Sequence, residues 1–340
     1  MTDRSHTPDL LVGVDVGGSK IAVLVVDPDL QPRARFTLPT RVGAPDSAAD
    51  AIAGAIRAAL GDGGLDVADV AAVGIGVPGR VEPDTGTVSL AVNLGWHDLP
   101  LGPQLAARLG VPVRLENDVR AAAAGLLDRR VLGDVEDLAF VSIGTGIAAG
   151  VILDGRLHRG RRGLAGEIGH IVLDPAGRLC ACGLRGCLEA LAAGPAIAAA
   201  ARDAVESGRE TVLARVDAPS AIDVYEAATA GDAVATDIAE TVGRHIARAV
   251  HELVMVYDVE VVVLGGGVAR AGDAFLAPIL RALDAMREAS SLAREVLRPG
   301  VVHLLPPAAE AGSWGAVALA RAAAGSDRRS PVAGREVGDS

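Results

Sequence analysis

The chain carries one short unit twice: a hydrophobic strand, a glycine turn and a second hydrophobic strand. The first copy runs from Leu10–Val16 (LLVGVDV) through Gly17-Gly18 into Ile21–Val26 (IAVLVV). The second runs from Leu138–Ile143 (LAFVSI) through Gly144-Thr145-Gly146 into Ile147–Leu153 (IAAGVIL). Val/Ile/Leu runs broken only by small residues read as buried strands, and two such runs joined by a short glycine turn read as a hairpin. A unit repeated this way is an internal duplication. It restricts the fold to two α/β lobes, each carrying one such hairpin.

The intervening sequence fits that plan. Further strands are expected at Arg33–Leu38, Val70–Val77, Pro112–Leu115, Val259–Leu264 and Val301–Leu304, with an irregular loop at Val92–Trp96. Helical apolar spacing is read at Ser47–Leu60, Gly102–Leu109, Val119–Arg130, Pro195–Ser207, Ser220–Ala228, Asp232–Met255, Ala274–Glu288 and Gly312–Ala323. Half of the 340 residues are hydrophobic and 22% are charged, enough to bury a sizeable core. A net charge of −11 argues against a nucleic-acid surface, which needs clustered Lys and Arg. With no charged-then-apolar leader and no run of eighteen apolar residues, a soluble cytoplasmic protein without a membrane partner is expected. Trp96 and Trp314 are read as core.

Three glycine turns at strand ends suggest a nucleotide site. In Asp15-Val-Gly17-Gly18-Ser19-Lys20, glycines let backbone N–H groups approach a phosphate, and an aspartate beside them can hold Mg²⁺. The sequence is neither a Walker loop nor a dinucleotide fingerprint. Singly, each turn could be an ordinary hairpin turn. Together with Gly144-Thr145-Gly146 and Gly265-Gly266-Gly267, they point to phosphates in a cleft between lobes. Asn117-Asp118 stands between a strand and a helix, where capping is the default role. A helix N-terminus also keeps a carboxylate ionised, which suits a base that accepts a hydroxyl proton.

All three cysteines, Cys180, Cys182 and Cys187, lie in one stretch with His170, in the pattern H-x9-C-x-C-x4-C. Free cysteines are usually just small buried residues, but three so close together and flanked by Gly183 and Gly186 are not scattered. Disulfides would leave one thiol over. Three thiolates and an imidazole complete a tetrahedral set for structural zinc. Glu167 and Glu189 bracket the ligands, so the metal would pin a loop that turns Glu167, His170 and Glu189 towards a polar substrate. Glu167-x-x-His170 is not the H-E-x-x-H of a metalloprotease.

The succession D-V-G-G-S-K-I, V-P-G, E-N-D, G-T-G, G-E-I-G-H with C-x-C-x4-C-L-E, and V-L-G-G-G-V resembles the ROK family of sugar kinases and repressors from about Leu10 to Ala323. The resemblance implies an actin-like ATPase (ribonuclease H-like) fold, with a small lobe of residues 10–117 plus 308–325 and a large lobe of 118–307. Residues 1–9 and 326–340 would be a flexible start and a disordered tail. It implies phosphoryl transfer from ATP, with Mg²⁺, to a hexose (glucose first, at its 6-hydroxyl) or to an amino- or N-acylamino-hexose. Asp118 would be the base. Asn117, Glu167, His170 and Glu189 would bind sugar hydroxyls, with Gly79 and Asn93 lining the pocket. Asp15, Gly17, Gly18, Ser19 and Lys20 would lie at the phosphates and Mg²⁺. Gly144, Thr145 and Gly146 would hold phosphate, and Gly266 with Gly267 would sit near the nucleoside. A homodimer is also implied.

Two departures stand out. Ile147-Ala148-Ala149-Gly150 replaces the usual further glycines, with access expected to survive. Val119-Arg120 replaces Ala-Asn, so Arg120 is expected to add a long cation near the pocket. The repressor branch carries a helix-turn-helix domain before the first strand, where this sequence has nine residues, so DNA binding is not expected. A non-catalytic sugar sensor is the reading from another class, but it should lose the base.

Overall fold

In the computed structural model, residues 8–40 and 45–327 are described. Most of the expected N-terminal segment 1–9 and C-terminal tail 326–340 therefore lies outside the described residues. In chain order the elements are β1 (Leu10–Val16), β2 (Lys20–Val26), β3 (Pro32–Pro39), α1 (Pro45–Asp62), β4 (Val70–Val77), β5 (Arg80–Glu82), β6 (Thr87–Ala91) and β7 (Trp96–Leu99). Then come α2 (Leu101–Leu109), β8 (Val113–Asn117), α3 (Asp118–Asp128), β9 (Leu138–Ile143), β10 (Ile147–Leu153) and β11 (Arg156–His158). They are followed by α4 (Leu188–Ala192), α5 (Gly194–Glu206), α6 (Ala221–Thr229), α7 (Ala233–Tyr257) and β12 (Val261–Gly265). The last are α8 (Asp273–Ala289), α9 (Ser291–Val296), β13 (Val302–Leu304) and α10 (Ala311–Asp327).

The duplication read from the sequence is visible in the sheets. One has the order β3-β2-β1-β4-β8 and the other β11-β10-β9-β12-β13. In each, an antiparallel hairpin is followed by two parallel strands: β1 pairs with β2 antiparallel and β4 parallel, and β9 pairs with β10 antiparallel and β12 parallel. Nearly unbroken burial along β1, β4 and β9 explains their apolar runs, because both faces of these strands are covered.

Two compact units form, Met1–Asp128 with Glu310–Ser340, and Arg129–Ala309. The second begins after α3, not at Asp118, for a steric reason. α10 lies directly on β1 and β4 and also crosses α3 at backbone contact. A Cβ on Gly74 would stand 2.0 Å from the Ala316 carbonyl, and one on Gly315 would stand 2.1 Å from the Ala121 carbonyl. Only glycine allows such approaches, so α3 and α10 are fixed to the first sheet.

The stretch expected to be an irregular loop is more ordered than that. Val92–Leu94 is a turn of 3-10 helix, and Trp96 opens β7 of a small β5-β6-β7 sheet. Its strands are too short to give a period-2 pattern. Trp96 and Trp314 are both buried, at 2% and 5% exposure, as core residues.

Candidate active site and metal centre

In the first unit, the β1–β2 turn is closed by Gly17 N–H donating to the Lys20 carbonyl at 2.8 Å. Thr40, just past β3, ties it down: its Oγ1 donates to the Gly17 carbonyl (2.7 Å) and its N–H to the Ser19 carbonyl (3.0 Å). Gly18, Ser19 and Lys20 remain exposed, and a Cβ on Gly18 would meet nothing. Thr40 escaped the sequence reading because it is far from the glycines in the chain. Asp15, at the end of β1, has its carboxylate against Gly312 in the first turn of α10. Burial raises its pKa, and Lys20 opposes the rise.

Asn117 ends β8 and Asp118 opens α3. Asn117 caps the helix as its residue type suggests, its Oδ1 accepting from the N–H groups of Val119 and Arg120, both at 3.1 Å. Its Nδ2 donates to the Gly79 carbonyl (3.0 Å) and to Asp118 Oδ1 (3.1 Å), which joins three expected site residues. Gly79 has φ +94°, and a Cβ there would lie 2.1 Å from the Leu90 carbonyl. Asn93 is exposed on its turn and is not joined to this group. Asp118 accepts from Val119 N–H at 2.9 Å. Burial, with the nearby Asp15 charge second, pushes the Asp118 pKa up to about 6. That leaves the carboxylate ionised at neutral pH yet markedly more basic than an exposed one.

Arg120 is not a cation reaching into a pocket. It is 3% exposed and pairs at 3.3 Å with Glu116, which is fully buried. The same Glu116 oxygen accepts from Asn117 N–H at 3.0 Å. The departure from the family pattern is therefore a buried ion pair beneath the Asn117–Asp118 pair. The i,i+4 spacing was the signal, but it hides across a strand–helix boundary.

In the second unit, Gly144, Gly266 and Gly267 come together. Gly144 N–H donates to the Gly146 carbonyl (2.9 Å), and Gly194 N–H donates to the Gly144 carbonyl (2.8 Å). Gly266 has φ +89° and packs against Ile143, while Gly267 N lies 3.8 Å from a Cβ position on Gly144. Gly144 and Gly267 border a cavity of about 490 Å³ also lined by Thr145, Pro195 and Ser220. Gly194 and Pro195, at the start of α5, were not singled out from the sequence. Their glycine–proline pair at a helix start was the available cue.

The G-E-I-G-H glycines are explained by what they touch. A Cβ on Gly166 would lie 1.9 Å from the Ala149 carbonyl, and one on Gly169 would lie 2.1 Å from the Ile147 carbonyl. The segment is thus pressed onto the start of β10, leaving Glu167 and His170 exposed. The ligand atoms of His170, Cys180, Cys182 and Cys187 all lie within 4.8 Å of one another. Cys180 Sγ is 3.6 Å from His170 Nδ1, and Cys182 Sγ is 3.6 Å from Cys187 Sγ. Zinc bonds of about 2.3 Å to sulfur and about 2.1 Å to nitrogen give tetrahedral edges of roughly 3.6–3.8 Å, so the residues fit that ion. Because Nδ1 faces the sulfurs, His170 Nε2 is left for other partners. Burial, reinforced by the adjacent thiols, pushes the Cys187 pKa up to about 12. Cys187 precedes α4, and Glu189 in the first turn accepts from Ile147 N–H at 3.0 Å.

Four similarities agree with this geometry. Residues 11–323 match the model of the ROK family. Glucokinase of Halalkalibacterium halodurans is 34% identical over 293 residues, 84% of this chain and 87% of that one. N-acetylmannosamine kinase of Citrobacter koseri is 35% identical over 79% of this chain and 86% of that one. A ROK family glucokinase from Streptomyces griseus, solved in complex with glucose and AMPPNP, superimposes with a TM-score of 0.75 at 34% identity. That alignment covers 92% of this chain and 99% of that one. The fold is that of the actin-like ATPases, as the paired sheets imply. With the family's motifs matched from the first hairpin to the last helix, this chain belongs to the ROK family.

Proposed function

We propose that the protein is an ATP-dependent hexose kinase that phosphorylates the 6-hydroxyl of glucose. The observation that carries this reading is the Asp118 carboxyl, half-buried at the start of α3 and held beside the Gly79 carbonyl by Asn117 Nδ2, with its pKa pushed up to about 6. The hydroxyl oxygen attacks the γ-phosphorus of ATP, its proton passes to Asp118, and ADP leaves. Such transfer gains mainly from positioning and charge neutralisation, so a mildly basic carboxylate suffices. Asn117, Glu167, His170 Nε2 and Glu189 bind sugar hydroxyls, with Gly79 and Asn93 beside them. Gly17, Gly18, Ser19, Lys20, Gly144, Thr145 and Gly146 hold phosphate, and Gly266 and Gly267 lie near the nucleoside. Asp15 would hold Mg²⁺, which neutralises phosphate charge when bound.

Zinc on His170, Cys180, Cys182 and Cys187 is structural. It fixes the imidazole and the loop carrying Glu167 and Glu189. The glucokinase and N-acetylmannosamine kinase relatives support a sugar substrate, and the latter makes an N-acylamino-hexose the second reading. A cytoplasmic homodimer completes the proposal by family resemblance; among the described residues no helix is long and apolar enough to cross a membrane.

The test is Asp118→Asn with glucose and Mg·ATP, read by ADP release. Turnover should fall by about 10²–10⁴ while glucose binding persists. Loss of turnover and binding together would make Asp118 structural and sink the assignment. A parallel panel of hexoses and N-acylamino-hexoses separates the two sugar readings.

A further inference from the structure

Glu189 makes a contact that recognition of a hydroxyl does not require. Its Oε2 accepts from the backbone N–H of Ile147, the first residue of β10, at 3.0 Å. Ile147 directly follows Gly144-Thr145-Gly146, the turn closed by Gly144 N–H donating to the Gly146 carbonyl. A Cβ on Gly146 would stand 2.5 Å from that same Oε2. Residue 146 must therefore be glycine for the carboxylate to reach the backbone behind it. A turn built from two glycines and a threonine has wide conformational freedom, so ties from outside fix its shape: Gly194 N–H holds the Gly144 carbonyl at 2.8 Å, and Glu189 supplies the tie at the Gly146 end. The tie comes from the first turn of α4, which starts immediately after Cys187 of the cysteine–histidine cluster.

We propose that Glu189 is a positioning residue for the Gly144–Gly146 turn, so that one carboxylate serves both the sugar and the phosphates. Oε2 orders the turn, and Oε1 is the oxygen free to accept from a sugar hydroxyl. Sugar and nucleotide affinities are coupled through this side chain, and the coupling acts in both directions. The inference rests on the sugar-kinase reading, but its signature is distinct. A residue that only binds sugar leaves nucleotide affinity untouched when no sugar is present.

The experiment measures Mg·AMPPNP binding in the absence of sugar, and glucose binding in the absence of nucleotide, by calorimetry on the full zinc-loaded chain. Glu189→Ala should weaken Mg·AMPPNP binding about ten-fold or more, the scale of a lost hydrogen bond to a charged group. Glu189→Gln should restore most of it, because an amide oxygen accepts the same N–H. Gly146→Ala should weaken glucose binding although it lies in the phosphate turn. Unchanged zinc content and thermal unfolding identify correctly folded variants, and Gly146→Ala provides the readout if Glu189→Ala fails them. Wild-type Mg·AMPPNP affinity in Glu189→Ala, equal losses in the Ala and Gln variants, or wild-type glucose affinity in Gly146→Ala would each overturn the proposal. In those cases a wild-type protein that binds both ligands leaves the kinase reading standing. A wild-type protein that binds neither refutes both.

Discussion

Replacing Asp118 by Asn should make the protein more stable as well as inactive. The folded-state pKa is about 6 and the ordinary value is 3.8. The shift of roughly two units corresponds to about 3 kcal/mol of disfavour for the ionised form, caused first by burial and then by Asp15. Because the folded pKa is raised, the folded state binds more protons than the unfolded one between about pH 4 and 6. Stability is therefore fully present below pH 4 and lost as pH rises through 6. Asparagine keeps an oxygen to accept from Val119 N–H but carries no charge. At pH 7.5 the variant should melt several degrees above wild type. At pH 4 the difference should vanish. Thermal unfolding followed by circular dichroism over pH 4–8 is the assay, with ADP release confirming lost turnover. Wild-type kcat/KM should fall about ten-fold per pH unit below 6, as the base is protonated. A variant that melts at or below wild type at pH 7.5, with no pH dependence of the difference, would refute the reasoning. The carboxylate would then be stabilised by its surroundings rather than held against them.

Other outcomes follow from the same contacts. Cys182→Ser, or prolonged chelation, should remove about one zinc per chain and weaken glucose binding with Glu167 and Glu189 intact; elemental analysis beside calorimetry checks both, and unchanged sugar affinity counts against a loop-pinning metal. Glu116→Gln should destabilise by about 3–5 kcal/mol in denaturant unfolding by removing the buried charge that faces Arg120, whereas replacing both residues by methionine should cost less, about 1–3 kcal/mol, because the Asn117 N–H still loses its Glu116 acceptor. Gly315→Val should lower the melting temperature or prevent soluble expression, since even a Cβ there would sit 2.1 Å from the Ala121 carbonyl.

Features that depend on near neighbours in the chain were legible from the sequence. Strands at Val70–Val77, Leu138–Ile143 and Ile147–Leu153 have the bounds read from their apolar runs, because strands buried on both faces tolerate little else. The cysteine–histidine set was legible for a related reason: few other uses bring three thiols and an imidazole so close. What escaped is set by contacts distant in the chain. Thr40 stitches the first turn and Glu189 reaches behind Gly146, and no local pattern marks either; the Glu116–Arg120 pair beneath Asp118 escaped differently, because its i,i+4 spacing straddles a strand–helix boundary. Arg120 misled because a charged residue beside a pocket motif is more often exposed than buried.

The cysteine–histidine loop shows why composition alone could not say how much structure it holds. Between β11 and α4 the chain forms one short 3-10 turn, Ile168–His170, and isolated bridges. Leu164, Ile171, Leu179 and Leu184 in that stretch stay exposed, at 41–63%. A segment this poor in buried apolar surface gains too little from packing to order itself. Its shape comes instead from two cheap constraints: glycines that let it lie on the backbone of β10, and four ligands converging within 4.8 Å. Metal binding to such a set is folding free energy for the loop. The rest of the unit has its own extensive core, so loss of the ion should disorder Glu167, His170 and Glu189 while leaving the surrounding sheet and helices folded.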